Sequence, residues 1–203
     1  MKIKLHKNDL PDGLDLGPVV AIDSETLGLN PFRDRLCLVQ LSDGDGVCHA
    51  VQFERDAYAA PNLKRLLGDP KVLKLFHFAR FDMGMFRRYL GVVTKPVYCT
   101  KIASRLVRTY TDKHGLKDLV KELLAVDLSK EQQSSDWGAP ELSERQLAYA
   151  ANDVAYLHRL KEALDVMLAR EGRTELAAAC FGFLPARVEL DLSGWAETDI
   201  FAH

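Results

Sequence analysis

Two carboxylates two residues apart, Asp23 and Glu25, close the short apolar run Val19-Val20-Ala21-Ile22. In a strand, positions i and i+2 project from one face, so both side chains would point the same way from its end. Like charges that close repel each other and are costly to desolvate. A divalent cation resolves the conflict, and hard oxygen donors suit Mg²⁺ or Mn²⁺. Asp-x-Glu pairs are also common in solvated turns, so this pair needs company before it means chemistry.

Company comes from two further places. His77-Phe78-Ala79-Arg80-Phe81-Asp82 directly follows the apolar run Val72 to Phe76. The top of a strand is where α/β proteins place ligand-binding groups. Asp82 would open a helix there, where the dipole alone already favours a carboxylate. Tyr149 and Asp153 then lie four residues apart in a helical stretch and share one face. Ala148, Ala150 and Ala151 are small enough for that helix to lie close to a sheet, and an aspartate on so close a face needs a partner. Each signal alone reads more readily as an ordinary helix-start or surface aspartate. Together they supply four carboxylates and one phenol in the order strand, strand-to-helix, late helix.

The elements that would position these groups are legible in outline. Val19–Ile22, Leu36–Leu41 and Val47–Phe53 read as strands, with the turn Ser42-Asp43-Gly44-Asp45-Gly46 between the last two. Asn8 to Gly17 reads as an irregular lead-in. A short helix over Ala60–Leu67, a strand over Val72–Phe76, a helix over Phe81–Leu90 closed by Gly91 and a fifth strand at Val97-Tyr98-Cys99 follow. Thr100 is the expected cap of the next helix, and Leu116–Leu124 reads as another. Ser143 with Gln146 forms a capping-box pattern that opens one long helix to about Arg170. This is a mixed α/β pattern.

Composition sets bounds. At 203 residues, 47% hydrophobic and 28% charged, the chain can bury a continuous core. Its formal charge of −2 argues against a long grip on duplex nucleic acid, leaving a small substrate, one strand end or no nucleic acid. None of the four cysteines forms a C-x-x-C pair, and Cys37, Cys48 and Cys99 read as reduced core residues of a cytoplasmic protein. The N-terminus lacks the apolar run of a signal peptide, and no stretch approaches a membrane span. Lys101, Arg105, Arg108, Lys113 and Lys117 read either as a solvated helix face or as a phosphate-guiding rim.

The three acidic signals, with Gln133-Ser134-Ser135-Asp136-Trp137 and Leu142 to Val154, resemble the tyrosine-containing branch of the DEDD exonucleases, and ribonuclease D in particular. The resemblance runs from about Val19 to Leu160. It implies a ribonuclease-H-like α/β fold, a mixed five-stranded sheet flanked by helices. It also implies a 3′→5′ exonuclease in which Asp23, Glu25, Asp82 and Asp153 hold two divalent ions, Mg²⁺ or Mn²⁺. Tyr149 would orient, or help deprotonate, the attacking water. Thr26 and Leu27 would contact the 3′-terminal nucleotide, Leu27 against a base or in the core, with His77 and Phe78 as further candidate contacts.

The expected organisation is a single exonuclease domain over residues 1–203, with a core at about 19–170 and an apolar tail over 180–203. The roughly 40 residues after Leu160 are expected to leave no room for the extra helical domains of ribonuclease D. Asp23 to Leu29, Arg33 to Leu36 and Leu190 to Trp195 resemble instead the nano-RNase C group. That likeness implies very short RNA oligonucleotides, dinucleotides especially, as substrate, and a ring-shaped homo-oligomer, an octamer. The tail carries Phe181, Phe183, Leu184, Trp195, Ile200 and Phe201, which suits a subunit interface or docking on its own subunit. The competing readings are a general exonuclease on longer RNA or DNA 3′ ends, and an inactive module that binds nucleic-acid ends.

Overall fold

The computed structural model describes residues 1–128 and 135–202. Gln133 and Ser134 of the motif before Trp137 lie outside the described residues. The core of the fold is one mixed sheet in the order β1-β4-β3-β2-β5-β6. β2 (Val19–Thr26), β3 (Leu36–Ser42) and β4 (Val47–Gln52) are the expected antiparallel meander. β5 (Leu73–Phe76) and β6 (Val97–Cys99) add in parallel on the β2 side. Val20, Ala21 and Ile22 are fully buried, as a strand covered on both faces must be. The turn between β3 and β4 places Gly44 at φ 90° and Gly46 at φ 91°, a backbone that side chains resist.

The sheet has six strands, not five. The additional strand, β1 (Lys2–Lys7), runs parallel to β4 at the sheet edge. Its residues are mostly exposed, and lysines at positions 2, 4 and 7 mark it as an edge strand. Backbone pairing with β4 holds it, so it carries little of the buried hydrophobic pattern that reveals inner strands.

Helices cover the sheet. They are α1 (Pro61–Gly68), α2 (Ala79–Met85), α3 (Thr100–Val107), α4 (Leu116–Leu124), α5 (Glu144–Ala155), α6 (Leu157–Arg170) and α7 (Thr174–Leu190). α2 continues into a π-helical turn, Phe86–Leu90, closed by Gly91 at φ 69°. The capping box at Ser143 is formed in both directions. The single long helix expected after it is two, because Tyr156 at φ −114°, ψ −2° leaves the helical ladder. Thr100 is the first residue of α3 and not its cap. Its hydroxyl donates to Phe76 O at 3.2 Å.

Part of the expected tail is helix. α7 buries Phe181, Leu184 and Val188, and the Phe181 ring lies 4.6 Å from that of Tyr98. A π-helical turn, Asp191–Trp195, follows, and Phe183, Trp195, Ile200 and Phe201 remain exposed. Arg80 of α2 grips Asp191 with two hydrogen bonds, at 2.5 and 2.7 Å. Cys37, Cys48 and Cys99 are buried free thiols, as expected. No helix among the described residues is long and apolar enough to cross a membrane.

Candidate active site

All nine residues singled out in the sequence line one cleft of about 750 Å³ at the C-terminal end of β2. β2 is antiparallel to β3 and parallel to β5, so its end opens beside the turn into α2. Asp23 and Glu25 leave one face of β2, and α5 packs on β2, β3 and β4. Buried Ala150 and Ala151 let α5 sit close enough for Asp153 to reach the strand carboxylates. Asp23, Glu25 and Asp153 each offer a ligand atom, and the three atoms lie within 4.8 Å of one another.

Asp82 lines the same cleft but stands outside that trio. Ser24, pointing to the opposite face of β2, donates its hydroxyl hydrogen to Asp82 Oδ1 at 2.6 Å. Gln40 Nε2 donates to Asp23 Oδ2 at 2.9 Å. Neither Ser24 nor Gln40 was picked out in the sequence. Ser24 was hidden between two acids, and Gln40 inside an apolar run, where an interior amide was the available clue.

The electrostatics are those of crowded, desolvated acids. Burial, then the charges of Asp82, Asp153 and Glu25, pushes Asp23 well above the usual carboxylate range. Burial and the neighbouring Asp153 and Asp82 lift Glu25 to about 9. Burial lifts Asp82 and Asp153 to about 7. Tyr149 packs its ring 6.2 Å from that of Trp137, and burial with Asp153 nearby holds its phenol above the ordinary range.

The other predicted contacts surround the acids. Thr26 donates its hydroxyl hydrogen to Gly28 O at 2.5 Å. Leu27 is 52% exposed, which excludes simple core burial. A Cβ on Gly138 would come within 2.8 Å of Leu27 Cδ2, so the absence of a side chain there makes room for Leu27. Arg35 donates to Phe53 O and Gly138 O, joining the segment behind Leu27 to the one beside Trp137. His77 Nδ1 lies 2.9 Å from Thr100 Oγ1, and burial followed by the Lys101 charge lowers the imidazole to about 3. Phe78 holds a left-handed backbone, φ 70°, that a bulky residue rarely adopts, while its ring stays exposed with Lys101 Nζ 4.2 Å above it.

The basic cluster divides. Lys101 and Lys117 line the cleft. Arg108 is fully buried and paired with Glu122, with its guanidinium also on Ser104 Oγ and Lys113 O. It is a structural tie and not part of a rim.

The acidic trio contains neither imidazole nor thiolate. Its all-oxygen donors and its mutual repulsion fit a hard divalent cation. A family model described as 3′-5′ exonuclease matches residues 7–169. The chain belongs to this 3′-5′ exonuclease family. Within it, the chain is 37% identical over 162 residues to a ribonuclease D of Gluconacetobacter diazotrophicus, a match that covers 80% of this chain and 41% of that protein. The chain thus spans about two fifths of the length of that relative. Solved structures of Brucella melitensis NrnC match along the whole chain. The form with bound Mg²⁺ is 57% identical, with a TM-score of 0.96 and 100% of both chains covered. The form bound to pGG is 58% identical, with a TM-score of 0.97, covering 100% of this chain and 99% of that one. Escherichia coli RNase D is 28% identical with a TM-score of 0.73, over 84% of this chain and 45% of its own.

Proposed function

We propose that this chain is a metal-dependent 3′→5′ exonuclease that hydrolyses short RNA oligonucleotides, dinucleotides especially, to 5′ mononucleotides. One observation carries the reading: Asp23, Glu25 and Asp153, from a strand and a helix distant in sequence, converge within 4.8 Å in a cleft that Tyr149 also lines. A half-buried set of acids so arranged is unstable without a counter-charge. The NrnC structures bound to Mg²⁺ and to pGG support the cation and the short substrate by likeness.

Asp23, Glu25, Asp82 and Asp153 would hold two divalent ions, Mg²⁺ or Mn²⁺, which supply Lewis-acid activation of water and stabilisation of the leaving 3′ oxygen. Tyr149, kept as a neutral phenol by burial, orients the attacking water through its hydroxyl. Leu27 and the Phe78 ring present apolar surface to the bases, and Lys101 and Lys117 face the phosphates. Neutral His77 offers hydrogen bonding without charge. The exposed Phe183, Trp195, Ile200 and Phe201 suit an interface with further copies of the chain, consistent with a ring-shaped homo-oligomer.

The test is a time course with a 5′-labelled RNA dinucleotide and a 5′-labelled RNA of about seven nucleotides, each with Mn²⁺. Faster consumption of the dinucleotide is expected. Stepwise shortening of the longer RNA at an equal or greater rate would replace the short-substrate reading with a general exonuclease.

A further inference from the structure

Gln40 has no solvent exposure, yet it sits in the middle of β3, whose other residues are apolar except for the terminal Ser42. It is the direct cross-strand partner of Asp23 on β2 and of Ala50 on β4. Its Nε2 donates to Asp23 Oδ2 at 2.9 Å, while its Oε1 is buried with no hydrogen-bond partner among the described residues. A leucine or methionine would fill this place without burying an unmatched carbonyl, so packing alone does not account for the amide. What the amide supplies is a fixed donor to one oxygen of Asp23.

We infer that Gln40 is a positioning residue, its buried carboxamide fixing the Asp23 carboxylate so that the remaining lone pairs face a divalent cation shared with Glu25 and Asp153. A carboxylate has about four lone-pair sites, and the amide uses one. Only the NH₂ end of the amide can face an ionised carboxylate, so Asp23 sets its orientation. The donor is neutral, which matters here. A lysine or arginine in its place would neutralise Asp23 and compete with the cation, while the amide orients the ligand and leaves the charge of the trio intact. Hydrogen bonds to ligands from outside the coordination sphere commonly set metal affinity in this way.

The inference rests on the acidic trio being a cation site, so the two are tested side by side. Mn²⁺ binding to the full chain is measured by calorimetry for wild type, Gln40→Met and Asp153→Asn, and melting is recorded in EDTA. Gln40→Met keeps volume and removes both polar ends. Its Mn²⁺ affinity is expected to fall about 10–100-fold, with a melting temperature in EDTA no lower than wild type. In turnover assays the half-saturating Mn²⁺ concentration should rise by a similar factor and the plateau should largely recover. A purely structural defect would lower the plateau without moving that midpoint. Wild-type Mn²⁺ affinity in Gln40→Met, with binding lost in Asp153→Asn, overturns the role of Gln40 and leaves the cation site standing. Equal binding, or none, in wild type and Asp153→Asn removes the cation site and this inference with it. Should Gln40→Met not fold, Gln40→Asn keeps a buried amide but shortens its reach by one methylene, and it carries the same predictions for Mn²⁺ affinity and for the half-saturating Mn²⁺ concentration.

Discussion

Ser24 and Asp82, 58 positions apart, are joined by a 2.6 Å hydrogen bond in which the serine hydroxyl donates to the buried carboxylate. Ser24 stands between Asp23 and Glu25, and strand alternation turns it away from both, toward α2. One tripeptide thus sends two acids into the cleft and, through its serine, holds a third that lines it.

That bond favours ionised Asp82 and opposes burial, which still lifts the carboxyl to about 7. Its contribution is therefore larger above pH 7 than below. Ser24→Ala should cost about 1.5–3 kcal/mol, the range for a hydrogen bond to a charged group, at pH 8.5 in EDTA, and clearly less at pH 5.5. Urea denaturation at the two pH values measures the difference. An equal cost at both would disconnect Ser24 from the ionisation of Asp82.

The acids as a group give the metal-free protein an unusual pH response. Glu25 is raised to about 9, Asp82 and Asp153 to about 7, and Asp23 is raised as well. Each folded-state value lies above its unfolded value near 4. The folded protein therefore binds more protons in this window, and stability falls as pH rises from about 4 toward 9. Melting temperature in EDTA should decline across that range. Added Mn²⁺ should restore more stability at pH 8 than at pH 5.5, because protons and cations compete for the same oxygens. A melting temperature in EDTA that climbs from pH 5.5 to 8 would contradict this.

Asp153→Asn removes one of the mutually repelling charges. The variant should melt higher than wild type in EDTA at pH 8, by roughly 2–4 °C per kcal/mol of relieved repulsion. It should also lose its melting shift with Mn²⁺ and nearly all turnover. Differential scanning fluorimetry with and without Mn²⁺ tests both halves.

Much of this site was legible before the fold was seen, for definable reasons. The spacing of Asp23 and Glu25 matches the two-residue period of a strand, and that of Tyr149 and Asp153 matches one helical turn. The capping box at Ser143 marked the start of α5 correctly. What escaped was held by forces that leave no periodic trace. β1 depends on backbone pairing at an edge. The break at Tyr156 interrupts an apolar pattern that runs on into α6 without a glycine or proline at the junction. Arg108 looks in sequence like its basic neighbours, and only the approach of Glu122 and the Lys113 carbonyl shows it to be a buried tie. Gln40 looked like one more residue of a core strand until its cross-strand partner was known to be Asp23.

Tyr149→Phe removes the hydroxyl and keeps the ring against Trp137. On the proposed role, in which the phenol acts on water and not on the cation, kcat should fall about 10²–10⁴-fold, the usual scale for a positioned acid–base group. Mn²⁺ affinity should stay within error of wild type. A matching loss of Mn²⁺ affinity would place Tyr149 among the groups that build the cation site.

The most direct test of the central claim is the identity of the products. A 5′-phosphorylated RNA dinucleotide is incubated with the protein in Mn²⁺ and, separately, in EDTA, and the products are resolved by mass spectrometry. Water attack at phosphorus with departure of the 3′ oxygen predicts two nucleoside 5′-monophosphates in Mn²⁺ and intact dinucleotide in EDTA. A 2′,3′-cyclic phosphate or 3′-phosphate product, or equal cleavage in EDTA, would show that the cluster of Asp23, Glu25 and Asp153 is not a metal-dependent exonuclease centre.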